Sequence, residues 1–260
     1  MSGEPVTDAE RNVTDSGAAD LDATEASPGN AERHGPAGAR LMQGLAVLPL
    51  FFPLSGKRVV LAGATERAVW KAELLQATGA VVDIYAADPC PAMKDLVADS
   101  TALRLHARGW AATDLAGAAL ALLDSEDDAE AERFRAAARA AGAPMNAIDN
   151  PPFCDFQFGA IIDRSPLVIG VSTHGTAPVL GQAVRARLEA LLPSQLRAWA
   201  EAARAWRARL LPLALPFRAR RRFWEMFSDR ALGALDGGPC DADYDRFLSH
   251  ATGQIGRAHV

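Results

Sequence analysis

The fold is decided by one stretch of sequence, Lys57-Arg-Val-Val-Leu-Ala-Gly63-Ala-Thr-Glu-Arg-Ala68, and by the run that follows it, Val81-Val-Asp-Ile-Tyr85. The first run is β-branched and ends in glycine, which predicts a buried strand. Residues 68–78 then have helical composition, and Gly79 follows them where a helix would end. A strand, a tight turn, a helix and a second strand within about 30 residues make a βαβ unit.

The same alternation continues along the chain. We predict strands over residues 118–123 and 145–148, with a helix over residues 129–141 between them. Such alternation predicts an α/β fold with a Rossmann-like, doubly wound parallel sheet. After Pro151 the pattern changes to two strands, residues 160–165 and 167–172, which meet at a turn around Ser165-Pro166. A helix over residues 178–192 and an arginine-rich helical region over residues 194–235 follow.

The composition is that of an ordinary globular protein. The chain has 260 residues, of which 49% are hydrophobic and 23% charged, and no apolar stretch is long enough to span a bilayer. Neither a secretory signal nor a disulfide framework is visible, so we expect a cytoplasmic protein with no membrane partner. The formal net charge is −5. Residues 1–40 hold eight acids and three arginines, with almost no large apolar residues, which predicts a disordered acidic tail.

The turn from Gly63 to Ala68 is a candidate phosphate-binding loop. It lies where dinucleotide folds place G-x-G-x-x-G/A, and Thr65 replaces the second glycine. The backbone amides of such a turn and the helix dipole receive a pyrophosphate. The alternative is a plain turn between strand and helix. The acidic partner for a ribose is Asp83 or, better placed after the strand, Asp88, unless both are solvated loop acids.

Two further motifs follow strands in the second half of the predicted sheet region. Asp149 ends a strand at the carboxyl edge of the sheet, where it could serve as a general base or merely form an Asx turn or cap in Asp149-Asn-Pro-Pro. The run Ser172-Thr-His-Gly-Thr-Ala-Pro178 could bind an anion, or Thr176 could simply cap the next helix. His174 could bind a metal or carry protons, but a lone loop histidine usually does neither.

An arginine-rich stretch, Arg218-Ala-Arg-Arg-Arg222-Phe-Trp-Glu-Met-Phe227, places cations beside aromatic residues. Nucleic-acid binding is one interpretation. The sequence shows no basic surface elsewhere, so we favour a polycarboxylate ligand or an interface helix and expect no nucleic-acid partner.

Together these blocks resemble the N-terminal module of siroheme synthases, the precorrin-2 dehydrogenase and sirohydrochlorin ferrochelatase family. The most specific blocks are Asn146-Ala-Ile-Asp-Asn-Pro151, Ile161-Ile-Asp-Arg-Ser-Pro-Leu167 and Val171-Ser-Thr-His-Gly-Thr-Ala-Pro-Val-Leu180. The opening Leu48-Pro-Leu-Phe-Phe52 and the later Arg220-Arg-Arg-Phe-Trp-Glu-Met-Phe227 are similar to that family as well.

The resemblance implies a homodimeric enzyme of siroheme biosynthesis that oxidises precorrin-2 to sirohydrochlorin with NAD. It also implies insertion of Fe²⁺ as the substrate metal, held mainly by the tetrapyrrole nitrogens, since the sequence offers no cluster of metal ligands. Asp149 occupies the position of the base, and Thr173 that of a substrate-site serine. The implied cofactor-binding residues are Gly63, Thr65, Glu66, Arg67, Ala68, Ala87 and Asp88, and the implied substrate-binding residues are Ser172, Thr173, His174, Gly175 and Thr176.

The implied organisation has five parts. They are an acidic tail (residues 1–44), an NAD-binding domain (45–157), a dimerisation segment (158–193), a small helical domain (194–252), and a linker or non-native end (253–260). Residues 255–260 match one reading frame of a common sequencing-adapter oligonucleotide, so we expect a truncation before a uroporphyrinogen-III C-methyltransferase domain.

Three departures from the family pattern concern the cofactor loop. They are Thr65 for glycine, Trp70 for arginine, and Asp124-Ser-Glu-Asp127 for Ala-Thr-Asp-Asp. Two alternatives therefore stay open: another NAD(P)-dependent reductase, and a non-catalytic module that binds a tetrapyrrole or dimerises.

Overall fold

The computed structural model describes residues 44–233 and 237–253. The acidic tail predicted over residues 1–44 and the non-native end predicted over residues 253–260 lie almost wholly outside these residues. The contacts divide the chain into two units, Met1–Leu45 and Ala46–Val260, and all the elements named below belong to the second.

A five-stranded parallel sheet forms the first part of this unit. Its strands are β1 (Arg58–Ala62), β2 (Val81–Tyr85), β3 (Leu103–His106), β4 (Leu120–Leu123) and β5 (Met145–Ala147). Their spatial order is β3-β2-β1-β4-β5, and every neighbouring pair is parallel. This is the strand order of a Rossmann-type sheet, so the predicted fold class is confirmed.

Helices cover both faces of the sheet. They are α1 (Glu66–Ala77) and α2 (Pro91–Ala98), which bury one face, and α3 (Asp128–Ala141), which buries the other. The central strands are apolar on both faces, and Val59, Val60 and Leu61 are fully buried. Continuous apolar runs of this kind are expected where a parallel sheet is covered on both sides.

The observed elements differ from the predicted ones at several ends. Helix α1 begins two residues earlier than predicted, because Thr65 already has the extended conformation of an N-cap. Strand β4 begins two residues later than predicted, and β5 ends at Ala147, so Asp149 lies two residues beyond it. The analysis of the sequence missed α2 and β3. Strand β3 is a short edge strand whose half-exposed pattern mixes Leu, Arg and His, which weakens its apolar signal.

The second part begins with an antiparallel hairpin and a helix, as predicted. Strands β6 (Ala160–Arg164) and β7 (Leu167–Val171) are joined by a turn with a cis peptide bond between Ser165 and Pro166. Helix α4 (Pro178–Leu191) follows and packs against the hairpin.

The third part is a bundle of α5 (Leu196–Leu210), α6 (Phe217–Gly233) and α7 (Asp241–Gly253). Its core is aromatic, and the ring of Trp206 meets five neighbouring rings edge to face: Trp199, Phe223, Phe227, Tyr244 and Phe247. The predicted helical region is confirmed and extends into α7, whereas the domain boundaries themselves stay predictions. Within the described part of the chain, none of the helices combines the length and apolarity needed to cross a bilayer.

Candidate active site

The glycine loop lies at the topological switch point of the sheet. Strand β1 has β2 on one side and β4 on the other. Gly63, which follows β1, therefore lies where the strand order reverses. Gly63 has φ +91°, and a Cβ atom there would lie 2.2 Å from the backbone oxygen of Asp124. Glycine is therefore required at this position by both conformation and space. Ligands of open α/β sheets bind at this crevice.

The loop fits a dinucleotide in its position but not in its charge. It leads into the first turn of α1, where the leading backbone amides have no acceptor within the helix. The amide of Thr65, however, donates to Oδ2 of Asp124 at 2.7 Å, and Nη2 of Arg67 donates to Oδ1 at 3.1 Å. The carboxylate of Asp124 is completely buried, so a negative charge already lies beside the loop.

The structure separates the two candidate ribose acids. Asp83 is buried between Arg58, whose Nε lies 2.5 Å away, and His106, whose Nε2 lies 3.3 Å away. Burial raises the pKa of Asp83, but the hydrogen bonds from Arg58 and His106 outweigh it and leave the pKa below its ordinary value. Asp83 is thus a structural ion-pair partner. Asp88 and Ala87 are exposed just beyond β2, at the end of the strand where a cofactor would lie.

A cleft of about 360 Å³ opens beside the carboxyl end of β5. It is lined by the turn after β5, by the β7–α4 loop and by part of α1. The lining residues used below are Trp70, Lys71, Asp149, Cys154, Phe158, Ser172, Thr173 and Gly175. The predicted base and three of the five predicted substrate-binding residues therefore lie in one cleft.

Asp149 is held in the cleft by its backbone. The amide of Ile148 donates to the carbonyl of Leu123 at 2.8 Å, which fixes the end of β5 against β4. The next residue, Asp149, has φ +59°, a conformation that is uncommon for aspartate and typical of functional sites. Its side chain is 71% exposed, and one carboxylate oxygen lies 4.0 Å from Nη1 of Arg67. No Asx turn or cap by Asp149 is found among the described residues, so that alternative is not supported.

The turn after β5 is stabilised by Cys154 and Asn146. The thiol of Cys154 donates to the carbonyl of Ala147 at 3.2 Å, and Nδ2 of Asn146 donates to the carbonyl of Phe156 at 2.9 Å. Burial raises the pKa of Cys154, which keeps the thiol protonated as such a donor. These contacts give the backbone at Asp149 a rigid support.

Lys71 is a candidate functional residue that the analysis of the sequence missed. It is only 7% exposed, and its Nζ lies 3.9 Å from the ring centre of Trp70 and 3.7 Å from that of Phe158. Burial lowers the pKa of Lys71 to about 8, while the charge of Asp149 opposes that shift. One signal could have found it, because Lys71 falls on the apolar stripe of α1 formed by Ala68, Ala72 and Leu75.

The β7–α4 loop presents part of its predicted set to the cleft. Ser172, Thr173 and Gly175 line it, whereas His174 and Thr176 are not among the lining residues. The hydroxyl of Thr176 donates to the carbonyl of Thr173 at 2.7 Å and so closes the loop. The N-cap of α4 is Ala177, without a side-chain bond, so helix capping by Thr176 is not observed.

The arginine-rich stretch lies elsewhere. Helix α6 buries Phe223 and Phe227 in the bundle and exposes Arg218, Arg220 and Arg222. None of these residues lines the cleft described above. Across the described residues, no group of three or more His, Cys, Asp or Glu side chains is placed to hold a metal ion.

Comparison with known proteins shows what this chain is similar to. Residues 50–160 match the family model described as "Putative NAD(P)-binding". The siroheme synthase of Azotobacter vinelandii is 40% identical over 178 residues, which cover 68% of this chain and 38% of that protein. Siroheme synthase 1 of Klebsiella pneumoniae is 38% identical over 197 residues, which cover 74% of this chain and 41% of that protein.

A solved structure supports the fold. The precorrin-2 dehydrogenase SirC superposes with a TM-score of 0.58 over 79% of this chain and 98% of SirC, at 16% identity. The chain spans about two fifths of the length of the curated relatives named above. Over the matched part of its length, the chain is thus a homologue of the siroheme synthases and has the fold of a precorrin-2 dehydrogenase.

Proposed function

We propose that this chain oxidises precorrin-2 to sirohydrochlorin with NAD as the hydride acceptor. The observation that carries the proposal is the cleft itself. A carboxylate on a strained turn, a desolvated ammonium and a hydroxyl-bearing loop converge beside the switch point of a Rossmann-like sheet. Homology to siroheme synthases supplies the substrate class, a reduced tetrapyrrole that bears many carboxylates.

Asp149 is the proton acceptor in this proposal. Oxidation of precorrin-2 removes two hydrogens, one as a hydride and one as a proton. NAD, when bound at the glycine loop, supplies the hydride acceptor. The exposed carboxylate of Asp149 takes the proton, and the guanidinium of Arg67 lies 4.0 Å from it. Its position after β5 places it within the cleft that would receive the macrocycle.

Lys71 and the β7–α4 loop hold the substrate. The ammonium of Lys71 is a cation in a cleft whose other charged lining residue is Asp149. Because it lies between two aromatic faces and has lost most of its water, it attracts a carboxylate more strongly than an exposed lysine would. The hydroxyls of Ser172 and Thr173 are further donors for carboxylate side chains of the macrocycle.

Residues around the glycine loop would hold the cofactor. Gly63 allows the loop to turn, the first amides of α1 would bind the diphosphate, and Ala87 with Asp88 lies where a ribose would pass. Arg67 lies between this loop and Asp149 and is therefore the side chain that links the two halves of the site.

Iron insertion belongs to the same proposal. Fe²⁺ entering sirohydrochlorin displaces two N–H protons, and Asp149 can accept them in turn. The tetrapyrrole nitrogens hold the metal, which removes the need for a protein ligand set. A cytoplasmic location is also proposed, and the three free cysteines (Cys90, Cys154 and Cys240) agree with a reducing compartment.

The experiment is anaerobic incubation of precorrin-2 with NAD⁺, with NADH and tetrapyrrole absorbance followed first without and then with Fe²⁺. NADH formation followed by an iron-dependent spectrum supports both activities. Tetrapyrrole binding without NADH would instead favour a chelatase or a binding module, an alternative that the carboxylate of Asp124 beside the cofactor loop favours. Absence of both binding and turnover would contradict the proposal.

We also propose that a second copy of this chain covers the face formed by β7 and α4. A two-stranded hairpin is marginal by itself. This face exposes large apolar residues, namely Val168 (41%), Val179 (84%), Leu180 (58%) and Leu191 (77%). Such a surface is typical of an interface. Analytical ultracentrifugation should give a dimer that Val179→Asp together with Leu191→Asp converts to monomer, and an unchanged monomeric mass in both proteins would contradict it.

A further inference from the structure

The proposed function does not explain the buried carboxylate of Asp124. It follows β4 at the switch point, and its side chain has no exposed surface. A buried carboxylate is costly unless it is paired and hydrogen-bonded. Asp124 is paired twice, with the amide of Thr65 at 2.7 Å and the guanidinium of Arg67 at 3.1 Å.

Both partners of Asp124 belong to the cofactor loop. The Thr65 amide precedes the first turn of α1, and Arg67 lies in that turn. These are the kinds of group that bind a phosphate at the start of a helix, a backbone amide and a guanidinium. The carboxylate thus satisfies from within the donors that a diphosphate would require.

The backbone keeps Asp124 beside the loop. Its amide donates to the carbonyl of Ala62 at 2.7 Å, and its own carbonyl oxygen lies where a Cβ of Gly63 would be. The strand end and the glycine loop are therefore in direct contact. These backbone contacts keep the short side chain of Asp124 within reach of Thr65 and Arg67.

We propose that Asp124 sets the affinity of this chain for dinucleotides by occupying the loop in place of a phosphate. This inference rests on the proposed function, because it concerns the cofactor of the same site. A diphosphate that enters the loop must take Thr65 and Arg67 from the carboxylate and must then lie close to its negative charge. Removal of that charge releases Arg67 and ends the repulsion, and removal of the whole side chain also frees the Thr65 amide.

Arg67 also connects the carboxylate of Asp124 to the cleft. The same guanidinium lies 3.1 Å from Glu126 and 4.0 Å from Asp149, so it faces three carboxylates. Glu126 is 84% exposed and has no contact with Thr65, which makes it the matched control. Removal of its charge alters the surroundings of Arg67 without freeing the loop amide.

The test is NADH affinity, measured by calorimetric titration of the unmodified chain, Asp124→Asn, Asp124→Ala and Glu126→Gln. Both Asp124 variants should bind NADH at least about tenfold more tightly, the effect expected from removing a like charge next to the ligand. Glu126→Gln should change the affinity by less than about twofold, since exposed charges contribute little.

Equal or weaker NADH binding by both Asp124 variants would overturn the inference. If the unmodified chain still forms NADH from precorrin-2, the proposed function survives that result. If none of the four proteins binds NADH, the inference and the proposed function are both contradicted. Binding by the Asp124 variants alone would support the inference and contradict NAD as the cofactor of the unmodified chain.

A measurement on the unmodified chain guards against misfolded variants. NADH should shift the ¹⁵N–¹H resonance of the Thr65 amide, because that amide changes its acceptor from carboxylate to phosphate. An unshifted resonance at saturating NADH would overturn the inference without reference to any mutant.

Discussion

The cofactor loop and the cleft lie side by side but are opposite in how their charges are satisfied. In the loop, the amide of Thr65 and the guanidinium of Arg67 both contact the buried carboxylate of Asp124. In the cleft, the carboxylate of Asp149 is 71% exposed, and the ammonium of Lys71 lies between aromatic rings. The donors of the loop are thus paired without a ligand, whereas the charged groups of the cleft would gain partners from a ligand.

This difference separates two kinds of site. A loop whose donors are paired internally keeps its shape when empty and yields its donors only to a competing anion. A cleft with a strained acid and a desolvated cation has the perturbed groups that mark chemistry in many proteins. We therefore expect substitutions in the cleft to alter turnover or substrate affinity, and substitutions in the loop to alter stability and cofactor affinity.

The largest effect is expected from Asp149→Asn. Loss of the proton acceptor should lower the rate of NADH formation from precorrin-2 by about 10²–10⁴-fold. The fold should be kept, because asparagine tolerates positive φ and the side chain is exposed. Asp163→Asn is the control, an exposed acid near the end of β6 and outside the cleft lining. Equal loss of activity in both variants would contradict the role of Asp149.

The next effect is one of stability and concerns the loop. Gly63→Ala forces an L side chain to φ +91° and into the backbone of Asp124, so it should lower the free energy of unfolding by about 2–4 kcal/mol. Gly109→Ala is the matched control, since a Cβ there meets nothing within 4 Å, and it should change stability by less than about 1 kcal/mol. Urea unfolding measures the free energy of unfolding of both variants. Equal values would contradict the close contact between Gly63 and Asp124.

A smaller effect is expected from Lys71→Met, which removes the charge at similar volume. The KM for precorrin-2 should rise by about tenfold, the cost of one lost carboxylate contact. Lys71→Arg should keep most of the affinity. If Met and Arg at position 71 behave alike, Lys71 serves packing rather than substrate binding.

The pKa of Lys71 gives this contact a pH dependence. The folded chain loses the ammonium as the pH rises through about 8, so KM should rise above that pH in the unmodified chain but not in Lys71→Arg. Between about 8 and the model-peptide value of 10.5, the unfolded chain binds the extra proton, so the stability contribution of this group increases with pH. Urea unfolding between pH 7 and 10 should therefore show a smaller loss of stability in the unmodified chain than in Lys71→Arg.

The smallest effect is expected at Thr173. Thr173→Val removes one hydroxyl from the cleft at equal shape and should raise KM by about threefold to tenfold, while Thr173→Ser should leave it nearly unchanged. The steady-state kinetics of the two variants separate the hydroxyl from the methyl group. A KM for Thr173→Val equal to that of the unmodified chain would remove Thr173 from the substrate-binding set.

The sequence predicted the parts of this site that are local along the chain. The glycine loop and Asp149 follow strands whose apolar runs are visible, and Ser172 and Thr173 lie between a visible strand and a visible helix. Lys71 was not predicted, because its environment depends on Phe158, which contacts it only in the folded chain. The departure at Asp124 is visible in the sequence, but its contact with Thr65 is not, since that contact joins residues 59 positions apart across the switch point.

Side-chain direction was a second limit. Asp83 and Asp88 were both candidates for a ribose, and only the sheet shows that Asp83 lies against Arg58 and His106. Likewise, the arginines of α6 suggested a ligand surface, but the aromatic residues between them set the helix orientation and leave those arginines outside the cleft. Pattern alone gives the position of a residue on an element, whereas packing decides what the residue faces.

We propose that the cleft, rather than the arginine-rich surface of α6, receives the tetrapyrrole. A crystal structure of the chain with bound sirohydrochlorin tests this proposal. We expect a macrocycle in the cleft, with the carboxylate of Asp149 facing the ring and Nζ of Lys71 on one of its carboxylates. A macrocycle bound against Arg218, Arg220 and Arg222, with the cleft empty, would contradict it.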